Sequence, residues 1–119
     1  MLCGCERAPQ AGAEEHQSRS IRVHSWGEYL APDVLSEFER RTGIEVNVSA
    51  YEDTDSLVKI LQASPGKFDV VITDDSTVKR LVYMRLLRHL KKAQVPNIER
   101  IAAEFLNNDF DPGNAYTMP

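Results

Sequence analysis

Trp26 and Tyr29 are the residues whose types and spacing most directly suggest chemistry in this sequence. They directly follow an alternating stretch, Ile21-Arg22-Val23-His24-Ser25, that reads as a β-strand. The faces of both rings attract cations through the ring quadrupole, and they cover methylene chains at the same time. A ligand of alternating methylenes and ammonium groups wants both. The same spacing also fits a Trp packed in a core with Tyr29 covering a helix start, which spacing alone favours. A second signal is Thr73-Asp74-Asp75-Ser76, placed after the apolar run Phe68-Asp69-Val70-Val71-Ile72. A carboxylate there can pair with an ammonium group, or Asp74 or Asp75 can cap the helix that follows.

No catalytic constellation accompanies these residues. His16, His24 and His89 are scattered, and no Gly-rich phosphate loop is present. His24 is read as strand surface, and the basic stretch from Lys79 to Lys92 as a solvated helix face. The expectation is a binding protein, not an enzyme, with no cofactor and no metal.

The elements that must position Trp26, Tyr29 and the acidic loop follow from periodicity and punctuation. After the first strand, Pro32 and Asp33 open a helix, since Pro suits a first turn and Asp its positive end. Val34, Leu35, Phe38 and Arg41 fall at helical spacing, and Thr42-Gly43 stops the helix with a glycine fit for a left-handed cap. Ile44 to Val48 alternates as a second strand. Tyr51 to Asp55 is a loop with capping chemistry, and Leu57, Val58, Ile60 and Leu61 face a second helix that ends at Ser64-Pro65-Gly66. Phe68 to Ile72 reads as a buried parallel strand. A third helix follows, capped within Thr73 to Ser76, with a face of Val78, Leu81, Val82 and Arg85. Leu86, Leu87 and Leu90 continue the apolar pattern. A short helix is expected from Asn97 to Phe105, a turn from Phe110 to Asn114, and the start of another strand from Ala115 to Pro119. The order strand, helix, strand, helix, strand, helix predicts an α/β fold with a parallel sheet. In such sheets ligands sit beyond the carboxyl ends of the strands, which directs attention to Ser25–Tyr29, Ser49–Asp55 and Thr73–Thr77.

Bulk composition agrees. The 119 residues make one small domain, 42% apolar and 27% charged. The net charge of −4 argues against a nucleic-acid binder, which would need a basic face, and fits a cationic partner weakly. No stretch is long and apolar enough to span a bilayer. Cys3 and Cys5 are the only cysteines. Leu2-Cys3-Gly4-Cys5 resembles the end of a bacterial lipoprotein signal, in which Cys5 would receive the lipid. Glu6 to Ser20 is polar and reads as a flexible tether. A signal also needs a basic start and an apolar run, so the true start is expected upstream of Met1.

Val23-His24-Ser25-Trp26-Gly27-Glu28-Tyr29-Leu30-Ala31-Pro32 resembles the opening of the periplasmic spermidine/putrescine-binding proteins of polyamine ABC transporters, which share Asn-Trp-x-x-Tyr-x-x-Pro. Phe38 to Val46 is similar to their Phe-x-x-x-Thr-Gly-Ile-x-Val, Tyr51-Glu52 to their Tyr-Glu, Phe68 to Val71 to their Tyr-Asp-x-Val, and Asp111 to Pro119 to their Asp-Pro-x-Asn-x-Tyr-x-x-Pro. The pieces come in order and at matching spacing. The resemblance implies an incomplete parallel-sheet lobe of a two-lobed, type II-like periplasmic-binding-protein fold. Residues 1–20 would be a lipobox remnant and tether, and residues 21–119 the N-terminal part of the first lobe, with the second lobe missing. It implies a monomer that captures a polyamine for the membrane subunits of an ABC transporter, in the periplasm or as a cell-surface lipoprotein. Membrane contact would run only through a lipid on Cys5. Trp26 and Tyr29 would contact ligand. Asp74 stands where the family has Ser, and Ser76 where it often has an aromatic ring, so a carboxylate is gained and a ring lost. The alternatives are another small organic solute, or an acidic pocket like that of a receiver domain. A receiver would carry its acidic pair after the first strand, and here the pair follows the third.

Overall fold

The computed structural model describes residues 19–119. The lipobox-like segment with Cys5 and most of the tether therefore lie outside the described residues. Three strands, β1 (Ser20–Trp26), β2 (Glu45–Tyr51) and β3 (Val70–Val71), alternate with three helices, α1 (Pro32–Thr42), α2 (Thr54–Ala63) and α3 (Asp75–Tyr83). The sheet is parallel throughout, in the order β2-β1-β3. This is the expected α/β lobe, with the first strand in the centre. Register runs from Ser20 opposite Glu45 to Trp26 opposite Tyr51. On the other side Val23 and His24 pair with Val70 and Val71.

Local chemistry sets the helix ends. Pro32 occupies the first turn of α1, and Gly43 closes it at φ +67°, donating its N–H to the Glu39 carbonyl at 2.8 Å. Asp53 caps α2 by accepting from the Ser56 N–H at 2.8 Å, and Asp74 caps α3 by accepting from the Thr77 N–H at 2.9 Å. The Arg22 guanidinium forks onto both oxygens of Asp69, and its third contact is the Gly66 carbonyl, which fastens the chain entering β3 to β1.

The core lies on one face of the sheet. Tyr51, Leu57, Val58 and Leu81 form it, with Leu61, Val71, Met84, Leu86 and Leu87 packed against them. It is the face covered by α2 and α3. The opposite face is thinly covered. Val23 is buried, but its register partners Val48 and Val70 are open.

Several expectations need correction. The α1 face of Val34, Leu35, Phe38 and Arg41 is not a core face: no residue of α1 is buried, and Val34 is 60% exposed. The run Phe68 to Ile72 is not buried on both sides. Only Val70 and Val71 form a ladder, extended by N–H donation from Asp69 to Arg22 and from Ile72 to His24, and Val70 is open because β3 is an outer strand. Arg85 does not extend the face of α3. The helix ends at Tyr83, and Arg85 takes φ +57°, which turns Leu86 and Leu87 back onto the core. The helix expected over Asn97–Phe105 is two 3-10 turns, Pro96–Arg100 and Ala103–Phe105, parted by extended backbone at Ile101 and Ala102. Neither turn has a side-chain cap or a buried residue, and a short helix without packing does not hold. The strand expected from Ala115 is absent for a specific reason. Asp111 takes the N–H groups of Ala115, Tyr116 and Thr117 that a sheet ladder would have used. No helix among the described residues is long and apolar enough to cross a membrane.

Candidate ligand site at the carboxyl ends of the strands

Trp26 is the last residue of β1, and its ring is 49% exposed at the carboxyl edge of the sheet. Gly27 follows at φ +42°, a backbone position that a side chain would strain, and it turns the chain so that the Tyr29 N–H donates to the Trp26 carbonyl at 3.2 Å. Tyr29 stands 73% exposed beside it. The indole meets the Tyr51 ring edge-on, with centroids 5.6 Å apart and planes at 66°. Tyr51 is buried and donates its hydroxyl to the Ile72 carbonyl at 2.8 Å, at the end of β3.

Two residues after Ile72, Asp74 and Ser76 are joined to each other. The Ser76 hydroxyl donates to Asp74 Oδ1 at 2.5 Å, and Thr77 gives Asp74 both its N–H and, at 2.8 Å, its hydroxyl. These donors, the Ser76 hydroxyl first, draw the Asp74 pKa down to about 2. Asp74 is therefore a charged helix cap. It is exposed, and with three hydrogen bonds accepted it keeps one lone pair, on Oδ2, with which to meet a cation as well. Asp74 and Ser76 are thus paired through their side chains after β3, while Trp26, at the end of β1, and Tyr29, just beyond it, are joined only through the backbone, on the neighbouring strand of the same sheet edge. The buried hydroxyls of Ser25 and Thr73, at the same edge, have no hydrogen-bond partner in the protein.

A separate open cavity of about 520 Å³ lies between the first turn of α3 and the loop around Asn108. Asp75, Ser76 and Lys79 line one wall, and Asn107, Asp109 and Phe110 the other. Of the four expected ligand residues only Ser76 reaches it. Among the described residues, no group of three His, Cys, Asp or Glu side chains could hold a metal ion.

Two residues behind the site were missed or misread. The sequence pattern places Tyr51 only in a loop, whereas it ends β2 and its ring meets that of Trp26. His24 is not strand surface: it is 5% exposed, stacks flat on Phe68 at 4.1 Å, and shares a 2.7 Å hydrogen bond with Ser49 through Nδ1. The signal was parity, since His24 and Trp26 alternate onto the same face of β1. Burial lowers the His24 pKa, partly offset by Ser49, with the nearby Lys67 charge adding to the depression. The folded chain therefore takes up this proton later than the unfolded chain does. Stability should be intact above about 6.5, the ordinary histidine value, and should fall as the pH drops below it until the folded form is protonated too. Urea midpoints at pH 7.5 and pH 5 measure this. The midpoint should fall at the lower pH in the native chain and not in His24→Phe.

A parallel three-stranded sheet with helices between its strands defines the class: part of an α/β lobe of a periplasmic-binding-protein fold. No family model matches the chain. Curated proteins and solved structures do. The putrescine/cadaverine-binding protein of Pseudomonas aeruginosa is 33% identical over 112 residues, 94% of this chain and 30% of that protein. The spermidine/putrescine-binding periplasmic protein of Salmonella typhimurium is 27% identical over 120 residues, all of this chain and 34% of that protein. Among solved structures, the substrate-binding protein PotD of the spermidine/putrescine ABC transporter of Streptococcus pneumoniae superposes with a TM-score of 0.81 at 28% identity, covering 86% of this chain and 32% of that one. In sequence and fold the chain is similar to the spermidine/putrescine-binding proteins, and it spans about a third of the length of the curated relatives it matches.

Proposed function

We propose that this chain forms one wall of a cleft that captures a polyamine, in a solute-binding protein that serves an ABC transporter. The observation that carries the reading is the half-exposed Trp26 ring, held at the carboxyl end of the central strand. Trp26 and Tyr29 cover the methylenes and meet an ammonium group, and Asp74, with Ser76 beside it, offers a charged oxygen to another. The relatives' names as putrescine- and spermidine-binding proteins support the ligand class, and the periplasmic names among them support that location. In this reading the protein is a carrier, not an enzyme, and works as a monomer. Residues 21–119 are the N-terminal part of the first lobe, and residues 1–20 are a tether anchored by a lipid on Cys5.

One wall leaves the ligand largely in water. Exposed ion pairs contribute only about 0–1 kcal/mol, and association costs at least about 4 kcal/mol. The 119-residue chain alone should therefore bind spermidine or putrescine at about millimolar concentration or weaker, the level that such a balance leaves. In a full-length, two-lobed parent, where the contact is desolvated, Trp26→Ala should weaken binding by about 1–2 kcal/mol, the range for such a cation–π contact with its packing. Calorimetric and backbone NMR titrations with spermidine, putrescine and choline measure both, and the choline arm separates polyamines from other organic cations. An affinity unchanged in a folded Trp26→Ala chain would show the ring to be packing alone.

A further inference from the structure

We propose that Tyr51 is the positioning residue of this site: it fixes the Trp26 ring for ligand and links it to the loop that carries Asp74. This rests on the reading of Trp26 as a ligand contact. His24 and Trp26 lie two residues apart on β1 and project from one face, so a gap of one strand repeat separates them. The Tyr51 ring enters from β2 and fills that gap. Its centroid is 5.3 Å from His24 and 5.6 Å from Trp26. Behind His24 stands Phe68, stacked at 4.1 Å, so the row Phe68, His24, Tyr51, Trp26 is continuous. With the gap filled, the indole cannot lean back along its own strand, and it is held over the strand ends where a ligand would lie.

The other end of Tyr51 reaches across the sheet. From β2 the side chain spans the central strand, and its hydroxyl donates to the carbonyl of Ile72 beyond β3. Ile72 lies two residues before Asp74. One buried side chain thus supports the ring that ends β1 and ties down the loop that follows β3. A ring ordered before ligand arrives loses less rotamer freedom on binding, which favours affinity without any new contact.

Trp26 is the only tryptophan of the chain, so its indole gives a single assignable signal. In the ligand-free native chain the indole N–H order parameter should stand near about 0.85, the value of rigid backbone. In Tyr51→Met, which keeps the bulk and removes the ring, it should fall below about 0.6, with β1 amides unchanged. In Tyr51→Phe the indole should stay rigid, while the amide signals of Thr73 and Asp74 shift. A mobile indole in the native chain, or a rigid one in Tyr51→Met, would overturn the proposal. If Tyr51→Met does not fold, the native chain and Tyr51→Phe decide it. Putrescine added to the same samples tests the underlying reading separately. An indole that is rigid but does not respond to putrescine removes the ligand role of Trp26. A response equal in the native chain and in Tyr51→Met removes the positioning role alone.

Discussion

Asp111→Ala is expected to release the whole segment from Asn107 to Thr117 while leaving the sheet folded. Asp111 is buried, and its carboxylate accepts four hydrogen bonds: from the N–H groups of Ala115, Tyr116 and Thr117 at 3.1, 2.9 and 2.7 Å, and from the Thr117 hydroxyl at 2.8 Å. Its backbone carbonyl takes a further bond from the Asn114 N–H. Asn114 in turn accepts from the Asn107 N–H, and Asn107 from the Gly113 N–H, so the turn closes on itself. Outside it, Leu90 donates to Ala115 and the Lys92 ammonium donates to Gly113, which joins this unit to the chain leaving α3. Removing the carboxylate strands three backbone donors at once. With charged hydrogen bonds contributing about 1.5–3 kcal/mol each and partly compensated by water, a loss of at least about 3 kcal/mol follows. Amide hydrogen exchange reads it: protection should collapse at Leu90, Tyr116 and Thr117 and persist in β1. A loss below about 1 kcal/mol would show the network to be dispensable.

The same carboxylate sets an acid limit. Burial alone would raise its pKa, but the N–H groups of Tyr116 and Thr117 and the Thr117 hydroxyl hold it below the ordinary aspartate value. Its contribution is complete above that value and is lost as the pH falls through the lower, folded one. This window lies well below the one set by His24, so the two groups are distinguishable in a single pH series.

The order of elements was legible because each boundary carries its own chemistry. Pro32, Gly43, Asp53 and Asp74 act on their own helices, within a few residues, and need no knowledge of the rest of the fold. Periodicity is a different kind of signal. It states which residues seek cover, not whether cover is there, and so Val34 and Phe38 share the helical spacing of a core face yet stay exposed. The segment from Ala115 failed differently. A side chain four residues upstream outcompeted the sheet for the backbone donors, although Asp111 stood in plain sight in the turn.

The site divides along the same line. Trp26, Tyr29, Asp74 and Ser76 can be proposed from sequence because the carboxyl ends of parallel strands are a place that can be counted to along the chain. Tyr51 and His24 were not, because their contacts depend on register. Only the pairing of Trp26 with Tyr51, and of His24 with Ser49, brings the aromatic row together. Sequence order thus reported the outward side of the site, and its support came from pairing between strands.

Leu81→Ala should be the most damaging single core change, and it tests whether the protein has one core or two. Leu81 has no exposed surface, and it joins α3 to Leu57 and Val58 of α2 and to Tyr51 of β2. Its backbone carbonyl also accepts the Leu86 N–H, at the turn that brings Leu86 and Leu87 onto the same cluster. Truncating a leucine in such a place removes transfer energy and leaves a cavity, at a cost of about 2–5 kcal/mol. Domains of this size are stable by only about 5–15 kcal/mol in total, so the change should leave a visible unfolded population. The control lies on α1. Val34→Ser exchanges an exposed apolar group on a helix with no buried residue, and surface changes of this kind stay within about 0.5 kcal/mol. Urea unfolding followed by far-UV circular dichroism gives both numbers. A large loss for Leu81→Ala and almost none for Val34→Ser is the result expected of a sheet packed on the α2 and α3 face alone. Comparable losses would mean that α1 closes a second core on the opposite face in solution, and that Val48 and Val70 are covered there.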